Sequence, residues 1–201
     1  MTTRLYLARH AETDANANGE TQGWRDVPLN ARGREQARVM AEAFRARPLA
    51  AIYASDTGRA RDTAAAIAAP HGLEVRADPR LREMDQGLLD GLTGEQLRHE
   101  HATFLQRWRD EDPADLRMPE GETLREVDAR VRPALARALD ELGRDYPRGT
   151  VDRPQVHGYR GAGAPDGQPW SVVVGHDGVF KVVMLALFDL PLERFWSFSM
   201  G

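Results

Sequence analysis

Two short apolar runs, far apart in the chain, each lead into a histidine. Leu5–Ala8 is followed by Arg9 and His10, and Val172–Gly175 is followed by His176. The second run is rich in β-branched residues, which is typical of a central parallel strand that is buried on both faces. The carboxyl ends of parallel strands share one edge of a sheet, and ligands bind at that edge in open α/β folds. We therefore expect the two histidines to lie together.

The first eighty or so residues alternate between strand and helix patterns. Apolar residues at helical spacing predict a helix over 33–45, and Leu49–Ala54 has the pattern of a strand. Residues 55–57 then offer N-cap side chains for a helix that runs to Pro70, and residues 73–75 are predicted to form a short strand. This order predicts an α/β fold, a three-layer α/β/α sandwich around a mostly parallel central sheet.

The second half of the chain departs from this alternation. Residues 92–118 are predicted to form a helical excursion that covers the site as a lid or wall. Capping boxes at Thr93–Gln96 and Thr123–Glu126 each predict the start of a helix. Residues 146–169 are rich in Gly and Pro and are predicted to form a loop. Residues 1–201 together are most economically one domain.

Composition excludes several classes of protein. The chain has no cysteine, so disulfides, thiolate catalysis and cysteine zinc sites are excluded. The formal net charge is −4 and no basic block occurs, which disfavours a nucleic-acid partner. No run approaches the roughly 18 apolar residues of a spanning helix, and residues 1–4 lead into the first strand without a secretory segment. We therefore expect no membrane partner and a cytoplasmic location.

The residues at the predicted edge of the sheet favour an anionic ligand. Arg59 falls in the first turn of the helix after the second strand, where free backbone amides and the helix dipole suit an anion. Together with Arg9, His10 and His176 it would form a positive pocket, and the guanidinium fork matches phosphate oxygens. A metal-dependent hydrolase with His10, His176 and Glu83 as ligands is an alternative, but the positive charge of Arg9 would repel a metal.

Short motifs along nearly the whole chain resemble those of the histidine phosphatase superfamily, the phosphoglycerate-mutase-like branch. In chain order they are Arg9-His10-Ala11-Glu12-Thr13, Asn16, Gln22-Gly23 with Asp26 and Pro28-Leu29, Ser55-Asp56 with Arg59-Ala60 and Thr63-Ala64, Leu81-Arg82-Glu83 with Gly87 and Gly91, Pro119–Glu122, and Gly175-His176. Two positions depart from the family pattern, which usually has glycine where this chain has Ala11 and Asp177. The carboxylate of Asp177 is close enough in sequence to raise the pKa of His176 or to repel phosphate.

The resemblance implies a role for each matching residue. His10 would be the nucleophile that carries the phosphoryl group, Glu83 would protonate the leaving alkoxide, and Arg9, Arg59 and His176 would hold the phosphoryl oxygens. The phosphate or the adjacent part of the substrate would also be contacted by Asn16, Gln22 and Gly23. No metal and no other cofactor is implied. Two alternatives stay open: Asp85 as the acid in place of Glu83, and Arg59 as a surface partner of Asp56 or Asp62.

The expected function is a metal-independent phosphomonoesterase that acts through phosphohistidine on small phosphorylated metabolites. A cofactor-dependent phosphoglycerate mutase is the first alternative, disfavoured because no Arg-Arg-Ser-Tyr-like segment occurs between Gly87 and Arg117. A non-catalytic phosphate-binding or scaffold relative is the second, although none of the expected groups is missing. The lid and Trp24 are expected to line the entrance. The aromatic residues Phe195 and Trp196 form either a homodimer interface or a final packing layer.

Overall fold

The computed structural model describes residues 4–111, 113–145 and 170–199. Within these residues the sheet has four parallel strands in the order β1-β4-β2-β3. The strands are β1 (Arg4–Arg9), β2 (Leu49–Ala54), β3 (Val75–Ala77) and β4 (Trp170–Gly175). In the register of β1 and β4, Arg9 lies opposite Gly175. The next residues, His10 and His176, therefore leave the sheet side by side.

Seven α-helices lie within the described residues. They are α1 (Asp14–Ala17), α2 (Ala31–Phe44), α3 (Gly58–Ala68), α4 (Gly94–Glu100), α5 (Ala102–Asp110), α6 (Leu124–Asp145) and α7 (Asp177–Leu187). Short 3-10 turns occur at Ala69–His71, Pro79–Leu81, Gly87–Leu89 and Leu192–Ser197. None of these helices is both long enough and apolar enough to cross a membrane.

The sheet is covered by helices on both faces, because successive residues of a strand point to opposite sides. On one face, Val172 and Val174 of β4 pack with Ile67 of α3, and α2 lies against the same cluster. On the other face, Val173 packs with Phe180 of α7 and with small residues of α6. The predicted three-layer α/β/α sandwich is confirmed, and β4 is the central buried strand that its β-branched run predicts.

The helical excursion is confirmed as α4 and α5. Their partly buried Leu97, Phe104 and Trp108 pack against the core between α6 and α7. Both capping boxes are formed: the Thr93 hydroxyl accepts from the Gln96 amide, and the Thr123 hydroxyl accepts from the Glu126 amide at 3.1 Å. The two helices are thus attached to the core by one apolar side.

The structure corrects several details of the expected elements. The short strand is Val75–Ala77 instead of 73–75, because Gly72 ends the preceding turn at a φ of +63° and pairing with β2 begins at Val75. No side chain of residues 55–57 caps α3. The amide of Gly58 donates instead to Asp26, at 2.9 Å, from a distant loop.

Helix α2 begins at Ala31, two residues before the expected start at residue 33. The side chain of Asn30 caps α2 by accepting from the amide of Gly33 at 2.8 Å, and α7 begins at Asp177, directly after His176. The predicted loop over 146–169 lies outside the described residues.

Candidate active site

His10 is held as a neutral imidazole with one nitrogen free. Its side chain is buried, and its Nδ1 lies 2.8 Å from the carbonyl oxygen of Ala11. A carbonyl only accepts, so Nδ1 carries the proton and Nε2 keeps its lone pair. Burial lowers the pKa of His10 to about 4, and the charges of Arg59 and Arg9 act in the same direction. At neutral pH the ring is therefore an uncharged imidazole.

His176 lies beside His10 with the opposite tautomer. The two ring centroids are 5.1 Å apart. The guanidinium of Arg59 can only donate, and it lies 3.4 Å from Nδ1 of His176, while Nε2 lies 3.5 Å from the hydroxyl of Thr57. Nε2 is accordingly the protonated nitrogen. Burial is the main cause that lowers the pKa of His176, and the positive charge of Arg59 lowers it further. The expectation that the carboxylate of Asp177 raises this pKa is therefore wrong.

Asp177 is neutralised by a neighbour on its own helix. Its carboxylate lies 2.9 Å from the ammonium nitrogen of Lys181, which is buried and lies 5.2 Å from the ring centroid of Phe195. Phe195 is buried and belongs to the core, so it is a packing residue, while the neighbouring Trp196 is partly exposed. The ion pair reduces the repulsion that Asp177 would exert on a bound phosphate.

Arg59 is fully buried at the start of α3. Its guanidinium donates to the carbonyl oxygens of Gly23 and Arg25, at 2.7 and 2.9 Å. Its Nε is buried and has no hydrogen-bond partner among the described residues. The alternative of a surface pair with Asp56 is wrong, because Asp56 instead binds Arg82 at 2.6 Å. Arg59 therefore places a positive charge in the interior, beside His176.

Arg9 has a more exposed side chain than the rest of the cluster. Its charge nevertheless contributes to the lowered pKa of both His10 and His176. Arg9 therefore contributes positive charge from the solvent-exposed side of the two histidines.

Glu83 is buried against the N-terminus of α7. Its two carboxyl oxygens accept from the amides of Gly178 at 3.0 Å, Val179 at 3.2 Å and Met84 at 2.8 Å. Burial raises its pKa more strongly than the amides of Met84 and Gly178 lower it. A β-carbon added at Gly178 would lie 2.7 Å from a carboxyl oxygen of Glu83, so any other residue at position 178 would force this carboxyl to shift. Glu83 is thus a buried carboxyl group that holds its proton to higher pH than usual.

Asp85, the alternative acid, is part of the local backbone structure. Its carboxylate accepts from the amide of Gly87 at 3.0 Å. This geometry favours Glu83 over Asp85 as the proton donor.

Arg130, which no sequence pattern singled out, holds the segment that carries Glu83. Its guanidinium donates to the carbonyl oxygens of Arg80 and Arg82, both at 2.8 Å, and of Glu83 at 2.9 Å. Its remaining donors bind the carboxylate of Glu122 at 2.8 Å. We call these contacts of Arg130 the clamp. Glu122 belongs to the Pro119–Glu122 motif, which was the one sequence signal near the clamp.

Three further residues were expected to contact phosphate: Asn16, Gln22 and Gly23. They differ in whether they have an unpaired hydrogen-bond donor. The side-chain oxygen of Asn16 accepts from the Thr13 amide at 3.1 Å, so it caps α1. The side-chain oxygen of Gln22 accepts from the Thr13 hydroxyl at 3.0 Å, while its buried Nε2 has no partner among the described residues. Gly23 contributes its carbonyl to Arg59. Only Gln22 is left with a free buried donor.

Comparison with known proteins gives matches to one family over most of the chain. The family model of the histidine phosphatase superfamily (branch 1) matches residues 5–147. The probable phosphoglycerate mutase GpmB of Enterobacter sp. (strain 638) is 41% identical over 136 residues, which cover 68% of this chain and 63% of that protein. The counterpart from Serratia proteamaculans is 40% identical over 139 residues, with the same coverage. The chain thus matches less than two thirds of the length of these curated relatives.

Solved structures match over almost the full chain. A mycobacterial glucosyl-3-phosphoglycerate phosphatase in complex with VO3 has a TM-score of 0.80 at 32% identity and covers 98% of this chain and 86% of its own. An alpha-ribazole phosphatase from Shigella flexneri has a TM-score of 0.75 at 26% identity, with 98% and 85% covered. The fold, the motifs and the family match agree: this chain belongs to the histidine phosphatase superfamily (branch 1).

Proposed function

We propose that this protein is a phosphomonoesterase that forms a phosphohistidine intermediate on His10. The observation that carries the proposal is the state of His10, a buried neutral imidazole with Nε2 unprotonated. Beside it lie a buried guanidinium, Arg59, and a second neutral imidazole, His176. Phosphoryl transfer depends mainly on positioning and on charge stabilisation, and this arrangement supplies both.

The proposed reaction has two steps. In the first, the Nε2 lone pair of His10 attacks phosphorus, the bond to the ester oxygen breaks, and Glu83 gives its proton to that oxygen. In the second, the Glu83 carboxylate takes a proton from water, the resulting hydroxide attacks phosphorus, and the bond to His10 breaks. Arg59, Arg9 and His176 hold the phosphoryl oxygens in both steps. The raised pKa of Glu83 suits a group that must donate first and accept later.

A phosphoglycerate mutase is the second candidate, supported by the similarity to the probable mutases named above. Such an enzyme would use the same intermediate and would return the phosphoryl group to an alcohol instead of water. A mutase that acts on a carboxylated substrate needs unpaired cations beside the phosphate. Arg107 and Arg117, on or next to the lid, are both paired, with Glu111 at 3.0 Å and with Glu126 at 2.5 Å. The full-length similarity to solved phosphatases also favours hydrolysis.

The test measures phosphate release from p-nitrophenyl phosphate by chelator-treated protein, with and without vanadate. We expect turnover that vanadate inhibits, and a loss of about 10⁴-fold or more in His10→Ala, because the nucleophile is removed. His99→Ala, on the exposed side of α4, is the matched control and should match the original protein. Intact mass measured after rapid acid-free quenching should show the phosphorylated form only where His10 is present.

Two results would overturn the proposal. One is a chelator-treated protein that hydrolyses no phosphomonoester, and the other is a His10→Ala variant that retains full activity. Isomerisation of 3-phosphoglycerate, measured in parallel, separates the second candidate from the first. A higher rate of isomerisation than of phosphate release would favour the mutase.

A further inference from the structure

Trp24 combines an exposed ring with a fixed orientation. Its side chain is 42% exposed, although large aromatic side chains usually lie mostly inside. The indole Nε1 donates to the carbonyl oxygen of Glu83 at 2.8 Å. An aromatic ring that is already fixed in place loses little conformational entropy when a ligand packs against it. Trp24 therefore offers a rigid apolar surface to solvent.

The backbone on both sides of Trp24 is fixed as well. The amides of Gly23 and Arg25 donate to the two carboxylate oxygens of Asp90, at 3.1 and 2.9 Å. The carbonyl oxygens of the same two residues accept from Arg59. A loop held this completely around one exposed side chain indicates that the position of that side chain matters.

The contacts of this loop place Trp24 where a leaving group would emerge. In the proposed reaction Arg59 binds the phosphoryl oxygens and Glu83 protonates the ester oxygen, which is bonded directly to phosphorus. The carbon skeleton of the leaving group therefore begins between Arg59 and Glu83. The guanidinium of Arg59 donates to the backbone carbonyl oxygens of both neighbours of Trp24, and the backbone carbonyl oxygen of Glu83 accepts from the ring nitrogen. The exposed indole is thus anchored directly to both residues between which the leaving group would begin.

We propose that Trp24 is the contact surface for a ring in the leaving group, so that the preferred substrates are phosphate esters of alcohols that carry an uncharged ring. The inference rests on the proposed phosphomonoesterase function and deepens it. Rings stack on indole through apolar and quadrupolar contact that an open chain cannot match.

The surroundings of Trp24 favour a leaving-group ring that carries no charge. The guanidinium of Arg82 lies 5.2 Å from the centroid of the indole ring. Its Nε and one terminal nitrogen donate to the two carboxylate oxygens of Asp56, at 2.7 and 2.6 Å. The two charges cancel at the rim, so this side of the site has no net charge to attract a second anionic group.

The experiment compares benzyl, cyclohexylmethyl and butyl phosphate, whose ester oxygens all belong to primary alcohols. Differences in leaving-group acidity are thereby kept small, and the ring becomes the variable. We expect kcat/KM for benzyl phosphate to exceed that for butyl phosphate about tenfold, the ratio that an aromatic contact of ordinary strength produces. A high value for cyclohexylmethyl phosphate as well would identify the apolar face of a saturated ring, as in a sugar, as sufficient. A low value would identify an aromatic ring as the requirement.

Two variants separate the ring of Trp24 from its hydrogen bond. Trp24→Leu should lower kcat/KM for benzyl phosphate about tenfold relative to butyl phosphate. Trp24→Phe keeps a ring without the Nε1 donor and should preserve the preference. Loss of the bond to Glu83 would slow all three esters alike, so the ratio reports only on the ring. Leu88→Ala removes another exposed apolar side chain, 57% exposed, and serves as the matched control.

A binding measurement distinguishes failure of this inference from failure of the proposed function. Calorimetry with benzylphosphonate and butylphosphonate needs no turnover, and benzylphosphonate should bind more tightly only while position 24 carries a ring. The inference is overturned if the original protein does not discriminate benzyl from butyl compounds in kcat/KM or in binding, or if Trp24→Leu preserves the preference. Absence of any hydrolysis would overturn the proposed function, and the phosphonates would still test the ring contact.

Discussion

The carboxyl edge of the sheet, where phosphate is proposed to bind, and the lid hold their side chains in different ways. We call this edge the phosphate end. At the phosphate end His10, Arg59, Glu83 and His176 are all buried and bond to backbone groups or to each other. In the lid, α4 and α5 bury no residue completely, and their polar contacts include an ion pair at the surface, Arg107 with Glu111. The groups that carry the proposed chemistry are therefore fixed far more tightly than the helices of the lid.

This difference predicts how substitutions in the two regions affect catalysis and folding. Burial shifts the pKa values of both histidines and of Glu83, and keeping such groups buried opposes folding unless every contact is retained. The lid has no comparable requirement. Substitutions at the phosphate end should alter catalysis by orders of magnitude, while those in the lid should leave folding nearly unchanged.

After the loss of His10 itself, the largest effect is expected at Arg59. Arg59→Lys should lower kcat by about 10² to 10³, because one ammonium nitrogen cannot contact two carbonyl oxygens, His176 and a phosphoryl group together. Steady-state kinetics with p-nitrophenyl phosphate measures this loss. Arg38→Lys, an exposed arginine paired with Glu35 on α2, is the control and should have no effect. A loss of less than about threefold in Arg59→Lys would contradict the assigned role.

The next effect concerns the clamp at Arg130. Arg130→Met should lower kcat for butyl phosphate about 10²-fold, because Glu83 would no longer be held in position. The loss of kcat for p-nitrophenyl phosphate should be smaller, because its leaving group needs little protonation. Combined with Glu83→Gln, it should cause almost no additional loss. Arg132→Met, on the same helix but paired at the surface with Asp128, is the control. Equal losses on both esters would indicate a purely structural role.

The pH dependence of activity tests the two buried titratable groups. The pKa of His10 is about 4, so kcat/KM should fall about tenfold per pH unit below that value as the nucleophile becomes protonated. The pKa of Glu83 is raised, so activity should also fall on the alkaline side as the acid loses its proton. Rate profiles for butyl phosphate measure both limbs. Survival of the alkaline limb in Glu83→Gln would assign it to another group.

Stability should depend on pH through His10 in a defined direction. Between its ordinary pKa of 6.5 and about 4, the unfolded chain binds a proton at His10 that the folded protein does not. The free energy of unfolding should therefore decrease as pH falls through this window, by up to about 1.4 kcal/mol per pH unit from this residue. Urea unfolding of the original protein and of His10→Gln, at several pH values, isolates the contribution. Equal slopes for the two proteins would refute it.

The smallest effect is expected in the lid. Arg107→Ala removes the ion pair with Glu111, in which both side chains are more than half exposed. The free energy of unfolding should change by no more than about 0.5 kcal/mol, as is usual for such pairs on helices. Urea unfolding at neutral pH measures the change. A loss above about 1.5 kcal/mol would show that the lid is held as tightly as the phosphate end.

Much of the phosphate end follows from local sequence. A β-branched run that ends in a histidine predicts a central strand and its terminus, and parallel pairing then brings His176 to His10. The position of Arg59 in the first turn of α3 follows in the same way from its distance to β2. These predictions need only the period of the strands and the shared direction of their carboxyl ends.

The supporting contacts could not be derived in this way. Arg130 reaches the carbonyl oxygens of a segment almost fifty positions earlier in the chain, and Asp26 caps a helix that begins at Gly58. Carbonyl and amide groups occur at nearly every residue, so no sequence pattern shows which of them a distant side chain will contact. Such contacts depend on the packed geometry of the whole fold.

The hydrogen bonds of Arg59 have a practical consequence for handling the protein. Among the described residues its guanidinium bonds to carbonyl oxygens, so the interior contains a cation without a hydrogen-bonded counter-ion. Oxyanions that enter the pocket will offset this charge in the folded state only, and they will stabilise that state by mass action. The melting temperature should consequently depend on the buffer salt, with higher values in phosphate or sulfate than in chloride at equal ionic strength.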